Sequence, residues 1–168
     1  RLLLVEGNDE YPSIGAKSVA VCVGAHLRWD ERSTELVDRF CELYNGVVLC
    51  DHTSNYHGKY AVHPTLVMQQ EYYDFDGCNI DLLIHIGEVS GAYFSLNPDE
   101  VWRVSPDGLI RDRFKRLTYV FETNEMTFFS KYVDLNQGTQ GDESEFYKLW
   151  RSEYDSVRAK LKDIDRKS

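Results

Sequence analysis

A chain of 168 residues with 42% hydrophobic and 13% aromatic content is long enough to close one well-packed core, and a single domain is the default at this size. Its 28 acidic against 19 basic residues give a formal net charge of −9, which sets a repulsive field against a nucleic-acid duplex or an anionic membrane, so neither is expected as a partner. No apolar run reaches the length of a membrane span, and the opening "RLLLVEG" is too short for the apolar core of a signal peptide.

The chain begins at Arg1 rather than methionine; this suggests a processed or excised piece, with residues 1–16 as a linker from a preceding domain. Residues 17–134 then read as one α/β domain. "VAVCVG", Val19 to Gly24, is a continuous β-branched run ending on glycine, the pattern of a strand buried on both faces. Asp30 is placed to cap a helix in which Leu36, Val37, Phe40, Cys41 and Tyr44 recur on one face, and Asn45-Gly46 supplies its stop. "VVLC", Val47 to Cys50, is the second strand, closing a right-handed β-α-β unit.

The polar loop "DHTSNYHGKYAVHP" carries three of the five histidines, and Pro64 opens a short helix over "TLVMQQEYY". A third strand runs from Asp81 to Ile86. "EVWRVSPDG" is a fourth, ending in a Pro-Asp-Gly turn, and "LTYVFET" a fifth. Asn124 caps a helix over "EMTFFSKYV". Residues 135–142 have a linker's composition, and from about Glu143 an amphipathic helix places Phe146, Leu149, Trp150, Tyr154, Val157 and Leu161 on one stripe. That stripe must fold back on the sheet or meet a second copy, because aromatic faces of this size rarely stay bare.

The alternation predicts an open, mainly parallel α/β sheet with helices on both faces. Ligands of such sheets sit beyond the carboxyl ends of the strands, where strand order reverses. "GAHLRW", "DHTSNYHGK" and "GEVSG" are the turns delivered there. Gly24 and Gly87 let the backbone leave a strand sharply, though neither turn completes a dinucleotide or triphosphate fingerprint. His26, Arg28, Lys59, Arg103 and Arg111 supply positive groups for a phosphate or carboxylate, with Thr53, Gly58 and Glu88 in the same turns.

Metal is disfavoured: His52, His57 and His63 with Cys50 and Asp51 follow no zinc-ligand spacing. His85, between isoleucines in a strand, reads as a core residue. Cys50 with His52 forms no recognisable nucleophile and base, and Ser90 lacks an elbow context. Of Cys22, Cys41, Cys50 and Cys78 no two make a CxxC pair, and free thiols in apolar runs fit a reduced, cytoplasmic setting.

"VAVCVG" with its helix, "VVLCDHTSNYHGKYAVHP", "DLLIHIGEV" and "VWRVSPDG" occur in the order and approximate spacing of the central domain of thiamine-diphosphate-dependent enzymes. The chain resembles that family from about Lys17 to Val133, in the glycine-ended first strand, in Thr53, Gly58, Lys59, His63 and Pro64, in the strand from Asp81 to Gly87, and in a later strand ending near Asp107. Within the family it is most similar to 2-succinyl-5-enolpyruvyl-6-hydroxy-3-cyclohexene-1-carboxylate synthase of menaquinone biosynthesis, with acetolactate-synthase-like enzymes next. The resemblance implies a Rossmann-like sheet of five to six strands, of the DHS-like NAD/FAD-binding type, with residues 143–168 opening a further domain. It also implies an oligomeric parent decarboxylase or carboligase that uses thiamine diphosphate and magnesium, with no cofactor expected in this fragment and no residue pattern of its own to support FAD or ADP in the central domain. The family's Gly-Asp-Gly segment with paired asparagines is absent here, so the fragment is expected to be catalytically silent. The alternative is a stand-alone nucleotide- or effector-binding module.

Overall fold

The computed structural model describes residues 2–6, 9–24, 29–50, 53–64, 79–87, 96–110, 112 and 115–167. Its centre is a seven-stranded sheet in which every pairing is parallel. The strands are β1 (Leu3–Glu6), β2 (Val19–Val23), β3 (Gly46–Cys50), β4 (Ala61–Val62), β5 (Leu82–Ile86), β6 (Glu100–Val104) and β7 (Leu117–Glu122). They lie in the order β1-β7-β6-β5-β2-β3-β4. The helices are α1 (Glu31–Tyr44), α2 (Glu125–Asp134) and α3 (Glu145–Lys167).

Strands β2, β3 and β5 are buried at every residue, as their unbroken apolar runs require when helices cover both faces of a parallel sheet. On one face Val21, Val48, Ile84, Trp102 and Phe121 pack with Val37 and Phe40 of α1 and Phe128, Phe129 and Tyr132 of α2. On the other, Ala20, Leu49, Leu83 and Val101 pack with Phe146 and Trp150 of α3. The expected aromatic stripe of the last helix therefore folds back on the sheet, against β3 and β4.

Local chemistry sets the helix ends. The Ser33 N–H donates to Asp30 Oδ1 at 2.7 Å and the Asp30 N–H to Ser33 Oγ at 3.3 Å, a capping box at the start of α1. Hydrogen bonds from Ser33 hold the Asp30 carboxyl below the usual carboxylate range. At the other end Asn45 takes the left-handed conformation, φ 53°, and its N–H donates to the Cys41 carbonyl. Asn124 Oδ1 accepts from the Thr127 N–H at 2.8 Å to start α2.

Two segments depart from the expectation. The described part of residues 1–16, read as a linker, is built into the domain: β1 pairs with β7, the ring of Tyr11 lies 5.2 Å from that of Phe121, and the Tyr132 hydroxyl donates to the Pro12 carbonyl at 2.6 Å. The sheet thus gains β1 at one edge, and the two-residue β4 at the other lies within the segment read as a polar loop. Residues 135–142, also read as a linker, pass closely over α1, where a Cβ on Gly141 would lie 2.9 Å from Glu42 Cβ and 3.0 Å from Arg39 Nη1. This stretch carries the chain from the α2 face to the α3 face. The short helix expected after Pro64 falls outside the described residues.

Candidate functional site

A parallel sheet delivers the turns that follow its strands to a single edge. From β2 the chain advances outward through β3 and β4, whereas from β5 it advances the other way through β6 and β7, so direction reverses between β2 and β5. The run β4-β3-β2-β5-β6-β7 has the 3-2-1-4-5-6 arrangement of doubly wound dinucleotide-binding sheets, with the ligand crevice at that reversal. Both expected glycines stand there. The Gly24 N–H donates to the Ile86 carbonyl at 3.0 Å, tying the ends of β2 and β5 together. Gly87 follows with φ 73°, a region that side chains penalise.

One residue inside the carboxyl ends, three polar side chains occupy one row across the sheet. Cys22 is in register with His85, and His85 with Arg103. Strand alternation places all three on the α3 face, two residues beyond Ala20, Leu83 and Val101 of that core. They are 0%, 2% and 2% exposed, and each is engaged in the fold. Arg103, expected at the crevice, is buried on β6, one strand from the reversal between β2 and β5. His85 is a core residue as its flanking isoleucines suggested. The three form a row only because β2, β5 and β6 are adjacent, which no single strand pattern reveals. A guanidinium stays charged at ordinary pH, so this row carries a fixed positive group on β6, next to the strand at the switch point.

The loop after β3 is directed elsewhere. Tyr56 is buried against Trp29, ring centroids 4.8 Å apart, and its hydroxyl donates to Asp38 Oδ1 of α1 at 3.4 Å. A Cβ on Gly58 would stand 2.0 Å from the Tyr56 hydroxyl oxygen; this glycine makes room for an internal ring. The Lys59 N–H donates to the same Asp38 oxygen at 3.0 Å, and its ammonium lies 5.2 Å from the centre of the Tyr60 ring. Thr53 is exposed. Gly58 and Lys59 are thus tied to the α1 side and do not join the Cys22-His85-Arg103 row. His26, Arg28, Glu88, Asp51, His52, Ser90 and Arg111 lie outside the described residues.

Other groups are committed to structure. Burial pushes the Cys41 thiol well above its ordinary value, which suppresses the thiolate. Cys50 is fully buried with Sγ 3.8 Å from the Val62 carbonyl oxygen. Asp107 accepts from the Ser105 hydroxyl at 2.7 Å and the Leu109 N–H at 2.8 Å, shaping the Pro-Asp-Gly turn after β6. Among the described residues no group of three or more His, Cys, Asp or Glu side chains is placed to hold a metal ion. No described helix is long and apolar enough to cross a membrane. A scan of family models finds no match to the chain, and a search of curated proteins finds none.

Proposed function

We propose that this chain is the central, non-catalytic domain of a thiamine-diphosphate-dependent decarboxylase or carboligase, most like 2-succinyl-5-enolpyruvyl-6-hydroxy-3-cyclohexene-1-carboxylate synthase. It serves as a scaffold between the domains that grip the coenzyme, in an oligomeric cytoplasmic parent. One observation carries the reading. The four segments that resemble the family fall, in chain order, on or directly after β2, β3, β5 and β6, around a switch point of doubly wound order. The reading predicts a Gly-Asp-Gly segment followed by paired asparagines elsewhere in the complete reading frame; a frame without one refutes it.

A second reading is a stand-alone nucleotide- or effector-binding module. It is favoured by Gly24 and Gly87 side by side at the switch point, with the buried Arg103 on the neighbouring strand β6. Isothermal titration with FAD, ADP, NAD and acidic metabolites separates the two. Saturable micromolar binding by this chain alone, weakened by Arg103→Lys with the fold intact by circular dichroism, supports the module. Heat signals indistinguishable from dilution across the panel leave the scaffold.

A further inference from the structure

Natural sheets blunt their exposed edges with charges, prolines or self-capping, since unpaired strand edges recruit other chains. β1 is blunted over only part of its length. It pairs with β7 on one side. On its other side the Glu6 N–H donates to Asp9 Oδ2 at 2.8 Å and the Glu6 carbonyl accepts from the Asp9 N–H at 3.0 Å, so the chain closes that position itself. Backbone groups two residues apart along a strand point the same way. The N–H and carbonyl of Leu4 therefore face outward like those of Glu6, without a cap among the described residues.

The side chains around this open stretch are apolar and exposed: Leu2 39%, Leu3 38%, Leu4 52% and Ile110 65%. Grooves flank the strand on both faces of the sheet. One of about 390 Å³ runs past Leu3, Val5, Tyr11 and Tyr119, and one of about 150 Å³ past Leu2, Leu4, Ile110 and Val120. A strand laid beside β1 would drop alternate side chains into the two grooves, the geometry by which sheet edges read extended peptides. The rim is acidic. Exposed Asp9 and Glu10 line the larger groove with Glu6 beside it. Next to the smaller groove, Glu122 Cδ lies 3.0 Å from where a Cβ on Gly108 would stand. Among the described residues around the larger groove, the Lys131 ammonium, 4.5 Å from the centre of the Tyr11 ring, is outnumbered. A second copy of this chain would bring its own net charge of −9 and the same acidic rim.

We propose that the outer edge of β1 docks an extended segment of a partner protein, with alternating apolar side chains flanked by lysine or arginine, as an added strand. None of the switch-point residues enters this proposal, so it stands or falls separately from the domain's assignment. The test uses the 168-residue chain, labelled with nitrogen-15, and a short synthetic peptide alternating valine and threonine with a lysine at each end. Saturable amide shifts centred on Leu3, Leu4 and Val5 are expected. Binding should weaken at least about tenfold when the terminal lysines become glutamates, a loss of about 1.4 kcal/mol. Leu4→Lys and, separately, Ile110→Lys should weaken it similarly; both sites are surface-exposed, and an unchanged spectrum away from β1 verifies the fold. Shifts absent from β1, or equal binding of the glutamate-ended peptide, would overturn the proposal. So would sedimentation showing that β1 shifts follow self-association of the chain.

Discussion

Asn45 offers the sharpest perturbation, because one side chain joins three parts of the fold. Its backbone is left-handed at φ 53°, its Nδ2 donates to the Lys17 carbonyl at 2.9 Å, and its Oδ1 accepts from the Phe146 N–H at 3.0 Å and the Ser144 hydroxyl at 3.3 Å. Phe146 is in the first turn of α3, so Asn45 satisfies an amide that the helix cannot, while Ser144 Oγ accepts from the Tyr147 N–H at 3.1 Å. Asn45→Ala loses the side-chain bonds, together about 1–2 kcal/mol net at this half-buried site, and adds about 1 kcal/mol for alanine in the left-handed region. The expected destabilisation is about 2–3 kcal/mol, or roughly 4–12 °C in Tm for a domain of this size. Asn45→Gly keeps the backbone freedom and should lose only about 1–2 kcal/mol. Urea unfolding of both variants, with hydrogen exchange at the Phe146 amide, reads the effect. If both variants stay within about 0.5 kcal/mol of the parent, or if the Phe146 amide exchanges no faster, the three-way clasp is wrong.

Trp150 is fully buried in the α3-side core, and Trp150→Ala should cost about 3–5 kcal/mol by urea unfolding; a loss below about 1 kcal/mol would mean α3 is not docked as described. Gly58→Ala should cost about 1–3 kcal/mol by driving a methyl into the Tyr56 ring, and most of that cost should vanish in a Tyr56→Leu background; an unchanged cost there would point to another clash. The Asp38 carboxyl is held above its ordinary value, chiefly by burial and further by Glu42, against hydrogen bonds from Lys59 and Tyr56. A carboxyl raised in the folded state gives stability that is present below its unfolded pKa and lost as pH rises through the folded one. Asp38→Asn should therefore gain stability relative to the parent between about pH 3.5 and pH 7, a trend followed by urea midpoints; a relative loss over that range would reverse the sign assigned here.

The fold was legible wherever burial was two-sided. "VAVCV", "VVLC" and "LLIHI" could be little else than central parallel strands, and Asp30 and Asn45 announced the ends of α1 by their side-chain chemistry. The edges were not legible. In β1 three of four residues are exposed, so "LLVE" carries no alternation to read, and two-residue β4 is shorter than any pattern. The supposed linker at residues 135–142 contains few apolar groups, yet its Gly141 serves close packing on α1, which composition does not encode. At the candidate site, Gly24 and Gly87 were readable because strand exits select glycine. Gly58 carried the same signal for a different reason, the ring of Tyr56 two residues earlier. The alignment of Cys22, His85 and Arg103 depends on strand order and register, which are tertiary facts.

The most direct measurement is thiamine-diphosphate-dependent carbon dioxide release from 2-oxoglutarate, comparing the complete gene product with this chain alone, with magnesium present in both. Release by the complete product and none above background from the chain is the expected result. Turnover by the chain unaided, or a complete product that neither binds thiamine diphosphate nor decarboxylates a 2-oxo acid, would contradict its assignment as a central scaffold domain.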